Sequence, residues 1–380
     1  MKIVADENIP LLMPLFESIG EVHTCAGRQM NADIVKDADI LLVRSVTKVT
    51  RHLLEGSRVR FVGTATIGLD HIDVDYLKEA GIAFANAPAC NANSVVEYVL
   101  SCLSFMSEYY QFKLEDRSVG IIGQGNVGSL LAKRLIKLGV KVKLNDPPRA
   151  KEDSETEYVS LDEALACDII SLHVPLVKDG DYPTLKLLGA SVLEKITDRQ
   201  ILINTSRGEV IDEAALLQKL MASPAFPVVL DVWENEPQIN TDLLERVTIG
   251  TPHIAGYSLD GKANGTEMIY QALCRFLGFP VRHKAAQFLA EAPLSKLAFT
   301  GQADPSWLIN TAIRACYDVR SDHWRLRSAL ASAEDVGAEF DRLRREYPVR
   351  REFQNTKIQL KNLNSEVFNR VKNLGFRMKI

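Results

Sequence analysis

Val119-Gly120-Ile121-Ile122-Gly123-Gln124-Gly125-Asn126-Val127-Gly128, followed further on by Val140-Lys141-Val142-Lys143-Leu144-Asn145-Asp146, decides the fold of this chain. Residues 119–122 are a short apolar run that predicts a strand, and they feed Gly123, Gly125 and Gly128 at the spacing G-x-G-x-x-G. Val127, Leu130, Leu131, Leu135 and Leu138 then recur every three or four residues, the period of a helix with one buried face. Residues 140–144 read as a second strand ending at Asp146. Each part has a physical task in holding a dinucleotide. Gly123 permits the tight turn, Gly125 lets backbone approach a pyrophosphate, and Gly128 lets the helix lie close on the strand. The helix N-terminus presents unpaired N–H groups and the positive end of its dipole to the phosphates. Asp146 can accept hydrogen bonds from both ribose hydroxyls of an adenosine. Its charge would repel a 2′-phosphate, so NAD is the expected cofactor, with Arg149 read as a solvent-facing side chain.

Working outward, a chain of 380 residues calls for two or three domains. Hydrophobic residues at 46% and charged residues at 25% suit a soluble globular protein. A net charge of −4 gives no reason to expect nucleic acid or an anionic membrane as partner. No apolar run is long enough to span a bilayer. The opening Met1-Lys2-Ile3-Val4-Ala5-Asp6-Glu7 turns acidic at once, unlike a secretory signal. Cysteines at 25, 90, 102, 167, 274 and 316 form no C-x-x-C pair, so neither a zinc site nor a disulfide scaffold is expected. A cytoplasmic location follows as the expectation.

The glycine fingerprint starts well inside the chain, so something folds before it. Apolar runs at 3–5, 40–43, 59–62 and 82–85 alternate with helical stretches such as 11–19 and 74–80, which reads as a small open α/β domain. Residues 93–112 form an apolar helical pattern with Asn93 or Ser94 as the expected N-cap. Strands are expected at 168–174, 200–204, 228–231 and 247–249, and helices at 212–221 and 258–277, completing a doubly wound sheet. Residues 285–380 differ in character, with helices expected at 303–316 and 322–336 and less clear readings at 343–348 and 356–360. This tail carries no obvious chemistry, and an oligomerisation module is the expected role, with an independent ligand-binding module as the alternative.

Three segments sit where strand ends should open onto the cofactor cleft: Asn204-Thr205-Ser206-Arg207-Gly208, Asp231-Val232-Trp233-Glu234-Asn235-Glu236-Pro237, and Thr251-Pro252-His253-Ile254-Ala255-Gly256-Tyr257. On these motifs the chain resembles the D-isomer-specific 2-hydroxyacid dehydrogenases, over roughly residues 1–280. That family carries Arg in an N-x-S-R-G loop, Glu in a D-V-[FWY]-x-x-E-P loop and His in a T-P-H-x-[AG]-[GS] loop. The matches are Arg207, Glu236 and His253. The chemistry needs those types. Imidazole is the natural acid/base for a hydroxyl proton. A carboxylate on the far ring nitrogen fixes the tautomer, and a guanidinium can fork onto the substrate carboxylate. Each residue also has an ordinary structural reading: a satisfied histidine, a helix cap, a surface ion pair. Their joint placement after strand ends favours the catalytic one.

The resemblance implies an α/β chain with a doubly wound Rossmann-type NAD domain (96–256), a smaller flavodoxin-like substrate domain (1–95 plus 257–284) and a C-terminal α+β dimerisation domain (285–380). It matches cofactor contacts to Gly123, Gln124, Gly125, Asn126, Val127, Gly128, Asp146, Val174, Thr205, Ser206, Arg207, Asp231 and Gly256. Val174 stands where family members often carry threonine. The resemblance extends to details in the first domain (Arg44-Ser45, the 65–73 loop and residues 88–94) and to the long tail, and it implies a phosphorylated 2-hydroxy acid as substrate, with Ser45, Thr66 and Tyr257 as the matched contacts. No metal is expected, because the nicotinamide ring accepts the hydride. A dehydrogenase of 3-phosphoglycerate or of another D-2-hydroxy acid is the alternative among enzymes, and a dinucleotide-sensing binding protein on the same fold is the alternative from another class, since such proteins can retain the triad.

Overall fold

The apolar runs assemble into three parallel sheets in the computed structural model, which describes residues 1–361 and 365–379. Five strands open the chain: β1 (Lys2–Asp6), β2 (Glu21–Cys25), β3 (Ile40–Val43), β4 (Phe61–Thr64) and β5 (Ala83–Ala85), in the order β2-β1-β3-β4-β5. This is the flavodoxin-like order. Strands β3 and β4 are buried throughout, as the inner strands of a parallel sheet must be, and so read as continuous apolar runs. The edge strand β2, with Glu21, His23 and Thr24 exposed, has no such run and escapes the sequence pattern. The helix Leu259–Leu277 returns to this sheet. Its Ile269, Tyr270, Leu273 and Cys274 share one core with Ile3, Leu15, Phe16, Ile40, Leu42 and Phe61. Gly278, at φ 69°, ends it with the left-handed residue that suits a helix C-terminus. Met1–Asn93 and Tyr257–Glu291 accordingly form one compact unit.

The second unit comprises Ser94–Gly256 and the chain from Ala292 onward. Its main sheet contains β6 (Ser118–Ile122), β7 (Lys141–Asn145), β8 (Ile169–Leu172), β9 (Ile201–Asn204), β10 (Val228–Leu230) and β11 (Ile249–Gly250). The order is β11-β10-β9-β8-β6-β7, so the direction of winding reverses between β6 and β8. Ligands of open α/β sheets bind beyond the carboxyl ends of the strands at such a reversal. The glycine turn follows β6, and the loops bearing Arg207, Glu236 and His253 follow β9, β10 and β11.

The tail is α+β. Strands β12 (Lys296–Phe299), β13 (Lys357–Leu360) and β14 (Arg377–Lys379) form a three-stranded sheet, accompanied by helices Pro305–Cys316, Val319–Leu330, Val336–Arg345 and Ser365–Asn373. Leu326, Leu330, Phe340 and Leu343 enter the same core as Ile170, Leu202, Val228 and Trp233. The helix expected over 322–336 runs instead from Val319 to Leu330, and a separate helix starts at Val336, where the Asp335 carboxylate accepts the Ala338 N–H. The helix expected from residue 93 begins at Ala92 and runs to Tyr109. Both expected caps, Asn93 and Ser94, are therefore inside it, and the Ser94 hydroxyl donates to the Glu352 carboxylate at 2.9 Å.

Candidate active site

The three loops beyond β9, β10 and β11 are tied to one another at atomic contact. Asn204 organises the first: its side-chain oxygen accepts the Ser206 N–H at 3.0 Å and the Ser206 hydroxyl at 2.7 Å, while its Nδ2 donates to the Arg207 carbonyl at 2.9 Å. Gly208 then lies directly on the second loop. A Cβ there would sit 1.9 Å from the Trp233 carbonyl carbon, so only glycine permits the approach. Trp233 joins second loop to third by donating its ring N–H to the Thr251 carbonyl at 3.0 Å.

Asp231, fully buried at the end of β10, holds the histidine loop from below. Its carboxylate accepts the Thr251 hydroxyl at 2.6 Å, the Ile254 N–H at 2.8 Å and the Ala255 N–H at 2.9 Å. Burial pushes this carboxyl up to about 6, against the opposing pull of His253 and its three donors. The resemblance implies a cofactor contact for Asp231; its visible bonds hold the loop. His253 itself adopts a positive φ of 55°, uncommon for a residue with a side chain, in the segment that Asp231 clamps.

His253 Nδ1 and Glu236 Oε2 are 2.7 Å apart, and the Glu236 Oε1 accepts the Trp233 N–H at 3.0 Å. Burial pushes the Glu236 carboxyl up, but the His253 charge and hydrogen bond, with help from Arg344, outweigh this and hold it below the usual range. An ionised Glu236 accepts from Nδ1–H and leaves Nε2 as the working nitrogen. The pair has the logic of a base oriented by a carboxylate. Arg207 is half-buried, with Nη1 donating to the Ser206 carbonyl at 2.7 Å.

At the fingerprint, Gly123 takes φ 92°, and a Cβ on Gly128 would lie 2.0 Å from the Gly123 carbonyl oxygen. Both glycines are required by the backbone. Gly125 is different: no atom lies within 4 Å of a Cβ placed there, leaving space above it for a ligand. The helix Asn126–Lys137 starts at Gly125 without a side-chain cap, so its first N–H groups suit a pyrophosphate. Asp146 accepts the Gln124 N–H at 2.7 Å and, as N-cap of Pro147–Glu152, the Arg149 N–H at 3.1 Å. Tyr158 donates to the Gln124 side-chain oxygen. Arg149 is exposed, as its solvent-facing reading expects. Val174 is half-buried against the main core, and Thr205 Oγ1 lies 3.3 Å from His173 Nδ1. Burial pushes His173 down to about 3 and keeps it neutral. These donors and the open space fit a dinucleotide.

Ser45, Thr66 and Tyr257 belong to the first unit, whereas Arg207, Glu236, His253 and Gly256 belong to the second. Ser45 is exposed in the loop after β3. The Thr66 hydroxyl lies 2.8 Å from that of Thr64 and donates to the Gly68 carbonyl at 3.2 Å. The Tyr257 ring is bracketed by two cations, with Lys262 Nζ 4.2 Å and Arg44 Cζ 5.4 Å from its centroid. Among the described residues no cluster of three or more His, Cys, Asp or Glu side chains could hold a metal, and no helix is long and apolar enough to cross a membrane. All six cysteines are free thiols.

Residues 100–255 match the family model of the D-isomer specific 2-hydroxyacid dehydrogenase NAD-binding domain. The chain belongs to the D-isomer-specific 2-hydroxyacid dehydrogenase family. Within that family its full-length relatives include erythronate-4-phosphate dehydrogenases. That of Hahella chejuensis is 54% identical, over 100% of this chain and 99% of its own length. That of Marinobacter nauticus is 56% identical over 100% of both. Residues 288–375 match a model described only as a domain of unknown function. Among solved structures, the D-lactate dehydrogenase of Aquifex aeolicus, complexed with NAD and lactic acid, is 26% identical with a TM-score of 0.59, over 73% of this chain and 95% of that one. The NAD-bound 3-phosphoglycerate dehydrogenase of Entamoeba histolytica is 25% identical with a TM-score of 0.62, over 75% and 99%.

The sequence reading leaves several supporting residues without a role. Asn204, Gly208, Trp233 and Thr251 lie inside the quoted motifs, so their positions after strand ends could have signalled the loop clamps. Tyr98, whose hydroxyl is 2.7 Å from that of Thr251, sits mid-helix outside every quoted motif and gives no such signal.

Proposed function

We propose that this protein oxidises 4-phospho-D-erythronate to 2-oxo-3-hydroxy-4-phosphobutanoate with NAD, a step in pyridoxal 5′-phosphate synthesis. The observation that carries the reading is the His253–Glu236 pair at 2.7 Å, on loops locked to that of Arg207 beyond the carboxyl ends of the Rossmann strands. The full-length likeness to enzymes named for this substrate supports the choice among 2-hydroxy acids.

In this mechanism His253 Nε2 takes the proton of the C2 hydroxyl as the C2 hydrogen leaves with its electron pair. NAD, when bound, supplies the acceptor for that hydride. Glu236 keeps Nδ1 protonated and stabilises the positive charge that the ring gains. Arg207 forks onto the substrate carboxylate and brings the C2 oxygen towards the imidazole. Asp231 holds the loop through three bonds, so the imidazole need not search for its place. The glycine turn and Asp146 hold pyrophosphate and ribose, with Gln124, Asn126, Val127, Val174, Thr205, Ser206 and Gly256 completing the cofactor contacts. Ser45, Thr66 and Tyr257 contact the polyol phosphate.

The same reading includes a cytoplasmic homodimer joined through residues 285–380. Trp307, Trp324 and Val349, exposed at 53%, 61% and 68%, offer apolar surface for it. Sedimentation of the W307E/W324E double variant as a monomer is the expected outcome, and an unchanged dimer would move the interface elsewhere. The activity is tested by following NADH formation with 4-phosphoerythronate, 3-phosphoglycerate and simple D-2-hydroxy acids side by side. The highest kcat/KM is expected for 4-phosphoerythronate, and equal or better turnover of 3-phosphoglycerate would overturn the assignment.

A further inference from the structure

We infer that the C-terminal segment, matched only to a domain of unknown function, positions the catalytic loops of its own chain, with Arg350 as its principal positioning residue. This rests on His253 as the acid/base. The histidine loop is gripped by the tail on both sides. Before it, His323 Nδ1 accepts the Gly250 N–H at 3.0 Å, at the end of β11. After it, Arg350 Nη2 donates to the Ala255 carbonyl at 2.8 Å and to the Ser94 carbonyl at 2.6 Å.

Arg350 is itself anchored through Nη2 and through a ring contact. It is buried, and its guanidinium lies over the Tyr317 ring, 4.2 Å from the centroid. The Tyr317 and Tyr347 hydroxyls both donate to Asp322, at 2.8 and 2.7 Å, which fixes that ring beneath the cation. The Ala255 peptide is thus clamped through two groups. Its N–H goes to Asp231 from the sheet, and its C=O takes a charge-assisted bond from the tail. The Glu236 loop is also touched by the tail. Gln238 Nε2 donates to Asp335 at 3.1 Å, and a Cβ on Gly337 would lie 2.6 Å from Gln238 Nε2. A segment serving only to join subunits needs none of these bonds.

The test compares full-length wild type, R350K and R350M, all characterised for folding and sedimentation. The readouts are kcat, KM, NADH affinity by fluorescence titration, and amide exchange over residues 253–256. R350M is expected to lose about tenfold to a hundredfold in kcat, because a base displaced by about an ångström loses that order of rate. NADH affinity should stay within about twofold, and exchange at Ile254 and Ala255 should quicken. R350K, which retains the charge and one donor group, should recover part of kcat. A folded R350M with unchanged kcat and unchanged exchange would overturn the inference. So would a loss of activity strictly proportional to the folded fraction. If R350M does not fold, R350K decides: wild-type kcat with wild-type exchange rejects the positioning role. Absence of turnover in the wild type would instead reject the reading of His253, and the exchange measurement would still report whether Arg350 holds the loop.

Discussion

Gly208→Ala is the most economical way to separate the Arg207 loop from the Glu236 loop without altering any catalytic side chain. The added Cβ would lie 1.9 Å from the Trp233 carbonyl carbon, 2.1 Å from its oxygen and 2.4 Å from the Glu234 nitrogen. All three are backbone atoms, so no side chain can swing aside. Carbon atoms rest at about 3.5 Å, which forces the two loops apart by about 1.5 Å. Overpacking of this kind costs about 1–3 kcal/mol of stability. The functional cost is of the same order, since displacing reacting groups by about an ångström lowers rates by about a hundredfold, or about 2.7 kcal/mol. Arg207 follows the glycine's motion directly, and Trp233 anchors both Glu236 through its N–H and Thr251 through its ring. The expectation for G208A is therefore a kcat/KM lower by about a hundredfold per folded molecule, with a modest fall in melting temperature. Gly189→Ala serves as control, because the nearest atom to its added Cβ is 3.5 Å away. Wild-type kcat/KM and melting temperature in G208A would refute the claim that close loop contact assembles the site.

His253→Ala should lower turnover by about a hundredfold or more while NADH still binds by fluorescence titration, the usual worth of an acid/base; unchanged turnover would remove His253 from the mechanism. Arg207→Lys keeps the charge but loses the planar fork, so kcat/KM for the hydroxy acid should fall in steady-state assays, and equal activity would contradict a forked contact. Glu97 offers a test by pH. It is buried, and burial, then the Glu352 charge, pushes its carboxyl up to about 8 from an ordinary 4.5. The folded protein therefore keeps a proton that the unfolded chain releases within that window. Its stabilising effect is complete below about 4.5 and is lost as pH rises to about 8. The slope is at most about 1.4 kcal/mol per pH unit. Denaturant unfolding should show wild type losing stability relative to Glu97→Gln across this range and no further above it; parallel curves would contradict the raised value.

How much of this was legible in the sequence depends on how local the determining interaction is. Strands β6, β8, β9 and β10 are inner strands of a parallel sheet, so burial on both faces writes each as an apolar run. The edge strands β2 and β14, with exposed Glu21, His23, Arg377 and Lys379, alternate with solvent and leave no such mark. The candidate triad is legible for a related reason. Each member lies within a few residues of a strand end, and topology gathers strand ends at one side of the sheet. Gly123 and Gly128 are legible because a backbone requirement excludes every other residue there.

Arg350 shows where that legibility stops. It reaches the histidine loop across 95 positions of sequence through one hydrogen bond to a carbonyl, and a carbonyl is offered by every residue type. Neither partner need carry a distinctive neighbour, and no period links them. In the sequence the tail therefore looks like a module without chemistry, whereas in the fold its His323 and Arg350 bracket the loop that carries His253. A segment can determine the geometry of an active site while contributing no recognisable motif, provided that what it supplies is donors and acceptors to backbone. The same argument explains why Asp231 reads from sequence as a ligand contact. The groups its carboxylate engages are the N–H bonds of residues 254 and 255 and a threonine hydroxyl, which become its neighbours only once β10 and β11 are paired.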